Sequence, residues 1–308
     1  MQRSVCMYAS DAYMRQPHTL LWLAVILDDV TTHSRPVTFS SLDGLQLHGT
    51  FVTPDMPQGQ PTVFVHGGGV TREEGGFFAR LASGLADAGL PSLRFDFRAH
   101  GESEGRQEDL TIAGVANDIR AATDLVCAET GSNQANVLGA SFGGGISAFY
   151  TARHQPNVRR LVLINPLLNY KVRFVDDKPY WQAERINKAA GQELATQGFV
   201  AHSPTFKLGR ALLNEVFYLK PHEELGYITT PTLILHGTGD TFIPVKSSRD
   251  AVTRFGGDAR LIEIEGAQHG IAVPDDPQYV DPQTQQWQSY AIGTIADWLA
   301  ASLNGGQT

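Results

Sequence analysis

Apolar and polar residues alternate on both sides of Asp43-Gly44 in "PVTFSSLDGLQLHGTFVT" (36–53). An Asp-Gly flanked by two such runs predicts a β-hairpin. After the loop "PDMPQGQP" the pattern changes period again and again. "TVFVHG" (62–67) and "SLRFDF" (92–97) are short apolar runs that predict buried strands. Between them "FFARLASGLADAG" (77–89) has helical spacing and stops at a glycine. The alternation continues with a helix over 110–130, the strand "NVLGA", a helix over 142–154 and the strand "RLVLINP" (160–166). Strands separated by helices predict βαβ units, hence a mostly parallel sheet with helices on both faces. Over 167–228 the pattern breaks into aromatics and charges without a clean strand. It resumes at "TPTLILHG" (230–237) and closes with "KSSRDAVTRFG", "ARLIEIEG" and "QQWQSYAIGTIADWLAASL" as helix, strand and helix. A structureless loop beyond about 20 residues is implausible in a compact domain. The break therefore predicts a small, mainly helical subdomain inserted between two core strands.

Length and composition fit this picture. A chain of 308 residues lies within the range of a single α/β domain, and 42% hydrophobic against 18% charged residues is ordinary for a globular core. The formal net charge of -8 argues against nucleic acid as the main partner, because phosphate binding needs a basic face. Cys6 and Cys127 lie far apart and fit no disulfide framework, metal or redox spacing, which points to a reducing, cytoplasmic setting. "LLWLAVIL" (20–27) is too short to span a bilayer. Asp11 before it, and "DDVTTHS" after it without a small-residue cleavage site, argue against a secretory signal, so residues 1–35 read as an extension ahead of the domain.

The chemistry starts at "NVLGASFGGG" (136–145). Gly139-Ala140-Ser141-Phe142-Gly143 fits G-x-S-x-G, with a strand before it and a helix after it. A tight, strained strand-to-helix turn needs room two residues either side of the serine, and the two glycines give it. The turn lifts the Ser141 hydroxyl above the sheet edge, next to a helix N-terminus whose N–H groups favour developing negative charge. A plain βα turn that happens to hold a serine is the bland alternative.

A serine hydroxyl is a poor nucleophile until a histidine held by a carboxylate takes its proton. Asp240 follows an apolar strand in "LILHGTGDTFIPV", and His269 sits in the loop of "LIEIEGAQHGIA". Both lie downstream of the serine, acid before base, in loops at strand ends. Glu265 is the rival acid, and His236, at a strand end, reads as structural. Tetrahedral intermediates need two N–H donors. Phe142, after the nucleophile, is one candidate; Gly68, in the "HGGG" of 66–69, is the other.

With these motifs in order, the chain resembles the α/β-hydrolases. "HGGG", "DFRAHGESEG", "GASFGG", "HGTGD" and "EGAQHG" carry the likeness, which covers about residues 36–303. Within that superfamily it is similar to the serine-esterase and S33-peptidase-like group. That group's second motif reads D-x-R-G-H-G-x-S, and Ala99 stands here where it has glycine, so this loop is expected to differ in shape. "FKLGRALLNEVFYLKPHEEL" (206–225) is loosely similar to the matching part of bacterial cinnamoyl (feruloyl) esterases. "HGGG" is also similar to the motif of hormone-sensitive-lipase-like esterases, but their GDSAGG is missing.

The resemblance implies an eight-stranded, mostly parallel sheet with a helical cap inserted between strands six and seven. It divides the chain into an extension (1–35), a core (36–166 and 229–308) and a cap (167–228). It implies a serine hydrolase acting on carboxylic esters through an acyl-enzyme, with no metal and no organic cofactor. Gly69, Tyr170, Phe174, Tyr180 and Trp181 are candidate substrate contacts, with packing of the cap onto the core as the plainer role for the aromatics. The partner is then a small-molecule ester or thioester; no membrane span is expected, and homodimerisation stays open. Thioester hydrolysis or acyl transfer uses the same residues. Aminopeptidase or amidase activity needs an anchor for an amine, for which Glu73, Asp176 and Asp177 are available. A binding protein without catalysis fits the complete Ser, Asp and His set less well.

Overall fold

The computed structural model describes residues 32–302; Cys6 and the apolar run 20–27 lie outside them. β1 (Thr32–Ser40) and β2 (Gln46–Pro54) form the expected antiparallel hairpin, with Thr32 opposite Pro54 and Ser40 opposite Gln46. Its turn uses Gly44 at φ +92°, a left-handed value that glycine takes without strain. The strand begins at Thr32, so residues 32–35 belong to the core and not to the extension. These four residues are exposed on both faces and are held by backbone pairing and by the exposed ion pairs His33–Asp55 and Arg35–Glu129, which a hydropathy pattern does not register.

The order then follows the alternation in the sequence: β3 (Thr62–Val65), α1 (Phe77–Asp87), β4 (Ser92–Asp96), α2 (Ile112–Thr130), β5 (Ala135–Ala140), α3 (Ser141–His154) and β6 (Val158–Ile164). The insertion comes next. It holds a π-helical turn (Val172–Asp176), a hairpin of β7 (Trp181–Gln182) and β8 (Arg185–Ile186), α4 (Lys188–Gln197), a second hairpin of β9 (Phe199–Ser203) and β10 (Phe206–Gly209), and α5 (Arg210–Glu215). It is thus a mixture of short helices and two hairpins, not the mainly helical unit expected from its lack of long apolar runs. β11 (Thr232–Gly237), α6 (Lys246–Val252), β12 (Ala259–Ile264) and α7 (Pro282–Ala300) complete the domain.

Eight strands form one sheet in the order β1-β2-β4-β3-β5-β6-β11-β12. β2 pairs antiparallel with β4, and every pair from β4 to β12 is parallel. Side chains alternate between two cores, as a pleated strand requires. Val63, Val65, Val137, Leu161 and Leu163 face α2, α3 and the insertion, whereas Phe64, Leu138, Val162 and Leu235 face α1 and α7. Because these strands are parallel, their carboxyl ends share one edge of the sheet, and the loops after β3, β5, β6, β11 and β12 converge there. Among the described residues, no helix is long and apolar enough to cross a membrane.

Candidate active site

Ser141 is the first residue of α3 and follows β5 with no loop between them; Ala140 is still extended. Its φ is +49°, in the left-handed region that β-carbon-bearing residues rarely enter. The turn is possible because its neighbours lack side chains. A Cβ on Gly139 would run into the Ser147 side chain and the Gly143 carbonyl, and one on Gly143 into the carbonyls of Val65 and His66.

The Ser141 Oγ lies 3.0 Å from His269 Nε2, and His269 Nδ1 lies 2.7 Å from Asp240 Oδ2. A carboxylate only accepts, so the neutral imidazole carries its proton on Nδ1 and leaves Nε2 free to accept the serine proton. Asp240 is buried and fully engaged. Its Oδ1 accepts from the Phe242 and Ile243 N–H groups at 2.8 and 2.9 Å, and its Oδ2 also accepts from Asn165 Nδ2 at 2.6 Å. Burial alone would raise this carboxyl, but hydrogen bonds from His236 and His269 and the His269 charge outweigh it and hold Asp240 well below the usual carboxylate range. His236 is buried, and its ring nitrogens meet Ser248 Oγ at 2.7 Å and the Ile243 carbonyl at 2.8 Å. Glu265, the rival acid, takes no part in this chain of bonds.

The glycine loop after β3 faces the same point. Gly67 N–H donates to Glu74 Oε1, and Gly69 N–H donates to His100 Nε2 at 3.0 Å. The Gly68 N–H between them has no partner among the described residues. Phe142 N–H, in the first turn of α3, is likewise free of an intrahelical acceptor. Gly68 and Ser141 line the same cavity, and Phe142 follows Ser141 at the start of α3.

The motif "DFRAHG" builds the support beneath this loop. Phe97 stacks on His66 with ring centroids 3.9 Å apart, and its N–H donates to His66 Nε2, so His66 Nδ1–H is left to donate to the Gly67 carbonyl at 2.7 Å. Burial, then the neighbouring His100, push His66 well below the ordinary histidine value, so it stays neutral. Arg98 grips the buried Asp118 with two hydrogen bonds of 2.8 and 2.9 Å. Ala99 adopts φ +68°, a left-handed geometry that a β-carbon-bearing residue takes only at the cost of strain.

A cavity of about 350 Å³ opens onto Ser141, walled by Gly68, Glu74, Phe77, Ser203, Phe242 and Tyr279. None of the aromatics proposed as substrate contacts lines it. Tyr170 and Phe174 are buried behind Phe142, where the Tyr170 hydroxyl donates to the Phe142 carbonyl and the two rings stack 5.9 Å apart. Trp181 packs on Phe217 at 5.8 Å, and Tyr180 rests against the core. Gly69 lies under Thr205 and Phe206 of the insertion rather than in the cavity wall. The walls that sequence reasoning missed come from distant segments. Phe242 follows Asp240 by two residues, Tyr279 lies in a polar loop, and Glu74 turns inward from the segment after the glycine loop. Its carboxyl is raised by burial, against the pull of the Gly67 bond and the His269 charge. Among the described residues, no group of three or more His, Cys, Asp and Glu is placed to hold a metal ion.

Comparison with known proteins gives consistent relatives. The family described as serine aminopeptidase, S33 matches residues 60–276. A non-heme chloroperoxidase of Kitasatospora aureofaciens is 26% identical over 259 residues, covering 73% of this chain and 90% of the relative. A monoacylglycerol lipase of Mycolicibacterium smegmatis is 25% identical over 285 residues, covering 86% and 97%. Among solved structures, Est1E from Butyrivibrio proteoclasticus with bound ferulic acid superposes with a TM-score of 0.66 at 20% identity, covering 84% of this chain and 99% of that one. At that identity the likeness speaks for the fold.

Proposed function

From the premise that the chain belongs to the serine aminopeptidase S33 family of α/β-hydrolases, we propose that it hydrolyses carboxylic esters through an acyl-enzyme on Ser141. The observation that carries this reading is the unbroken line from Ser141 Oγ to His269 Nε2 and from His269 Nδ1 to Asp240 Oδ2. His269 removes the serine proton as Oγ attacks the ester carbonyl, and then passes it to the departing alkoxide. Asp240 holds the ring and stabilises the imidazolium that forms between the two transfers. The Gly68 and Phe142 N–H groups donate to the developing oxyanion. Water, deprotonated by the same imidazole, then attacks the acyl carbonyl and releases the acid. The insertion serves as a cap: Ser203 reaches the cavity wall and Phe206 lies on the glycine loop.

The lipase and Est1E likenesses support an ester substrate. Thioesters engage the same residues and remain within the reading. Aminopeptidase activity is the second reading, favoured by one observation. Glu73 pairs with Arg94 and Arg72, whereas the Glu74 carboxyl reaches the cavity with no Arg or Lys in ion-pair contact among the described residues. The two-cysteine composition supports a cytoplasmic setting.

A panel of 4-nitrophenyl esters, acyl thioesters and aminoacyl 4-nitroanilides, run on wild type and Ser141→Ala, tests the proposal. Ester turnover in wild type with a loss of at least about 10³-fold in Ser141→Ala is expected. Equal turnover by both proteins refutes Ser141 as nucleophile, and exclusive anilide cleavage selects the peptidase reading.

A further inference from the structure

A second cavity, of about 420 Å³, lies between the start of the insertion and the loop joining β11 to α6. Phe242 lines both this cavity and the one at Ser141. Its ring packs 4.9 Å from the His269 imidazole, and the Arg173 guanidinium stands over it at 3.9 Å from the centroid. One phenyl ring thus separates the proposed base from a guanidinium.

Arg173 has no carboxylate within 4 Å among the described residues, and its buried Nε has no hydrogen-bond partner. Burial lowers its pKa, with only partial compensation from the more distant Asp177 and Asp240. Two further basic groups crowd it. Lys178 is lowered by burial and then by the Arg173 charge. His202, edge-on to Phe174 at 5.1 Å and to Phe242 at 6.3 Å, is held at about 4 by burial and by Lys178 and Arg173. Its Nδ1 is also buried without a partner. The remaining charged or titratable groups on the cavity are Asp177, Asp250, Arg254 and His222. Asp250 is already taken up by Lys246, and Asp177 is exposed.

His202 is therefore neutral near pH 7, and the charge comes from Arg173 and Lys178, which have no carboxylate in ion-pair contact among the described residues and only the exposed Asp177 nearby; their local positive field is one that an anion relieves. The opposite pole is the Glu74 carboxyl on the wall of the Ser141 cavity. A substrate charged at one end is therefore oriented: its anionic end is repelled from Glu74 and drawn past Phe242. We propose that the preferred esters carry a carboxylate a few atoms from the scissile carbonyl, seated on Arg173 in the cavity beyond Phe242. This rests on the esterase reading above and adds the substrate class to it.

Two matched pairs test it on the full-length protein. 4-Nitrophenyl hydrogen glutarate against its methyl ester places the charge on the acyl side; 4-acetoxybenzoate against its methyl ester places it on the leaving group. Wild type is expected to favour the anionic member of at least one pair by about tenfold or more in kcat/KM at low salt. Arg173→Gln should lower that ratio by about tenfold, and Arg173→Lys should keep part of it. A neutral preference in both pairs, or ratios unchanged in Arg173→Gln, overturns the proposal. Calorimetric titration of monomethyl glutarate into Ser141→Ala, with and without Arg173→Gln, gives a readout without turnover: binding is expected to weaken about tenfold, and equal affinity again overturns it. Failure of the esterase reading is seen separately, as hydrolysis that persists undiminished in Ser141→Ala.

Discussion

Glu74 offers the sharpest test of how the site is held together. Its Oε1 accepts the Gly67 N–H, and that bond orients the loop whose next N–H, on Gly68, is left free. Glu74→Ala removes the acceptor. A hydrogen bond to a charged group contributes about 1.5–3 kcal/mol, and complete loss of an oxyanion donor costs about 10²–10³ in kcat. Loosening the loop without deleting the donor should lower kcat roughly 10- to 100-fold, with KM little altered, because the proposal has Gly68 act on the transition state. Glu74→Gln keeps a carbonyl that can accept from Gly67, so its loss should be smaller. The two variants separate further with pH. Burial raises the Glu74 carboxyl in the folded protein. Its contribution to stability is therefore present below the unfolded value of about 4.3 and is lost as pH rises through the higher folded value. Above that folded value wild type carries an ionised, half-buried carboxylate and the glutamine variant does not. Melting curves from pH 4 to 8 should show Glu74→Gln gaining on wild type as pH rises. Parallel curves for the two proteins, or an alanine variant with full kcat, would refute the account of this loop.

Two other changes test the scaffold. Ala99 sits at φ +68°, so Ala99→Gly should relieve left-handed strain and stabilise by about 0.5–1 kcal/mol after the glycine's extra chain entropy is counted; a lower melting temperature would contradict this. Arg98→Leu leaves the Asp118 carboxylate, with no exposed side-chain surface, without its partner, and should destabilise by about 3–5 kcal/mol in urea unfolding at pH 7.

The parts of this site that were legible in the sequence are those where one residue type is forced locally. Gly139 and Gly143 are dictated by backbone carbonyls and a side chain that leave no space for a Cβ, so the elbow announces itself. Asp240 and His269 follow apolar strands whose period is clear, and chain order did the rest. What stayed hidden depends on contacts between distant segments. Tyr170 and Phe174 look like pocket aromatics in a charged stretch, yet nothing local distinguishes a ring that lines a cavity from one that packs behind Phe142. Glu74 and Tyr279 reach the cavity only because two loops meet there, more than two hundred residues apart. Asn165, also at a left-handed φ of +43°, supports Asp240 from the end of β6, and its only trace in sequence is a polar residue closing an apolar strand. The strand at Thr32–Arg35 is invisible to hydropathy because both its faces meet solvent.

Ser141 and His269 are separated by 128 positions along the chain. On the proposed mechanism a nascent polypeptide makes its elbow long before the imidazole has been synthesised, and the elbow stays inert until β12 and the loop after it are in place. Full-length translation is in this sense the arming step. A product truncated before His269 would carry the serine without the base that the proposal assigns to it.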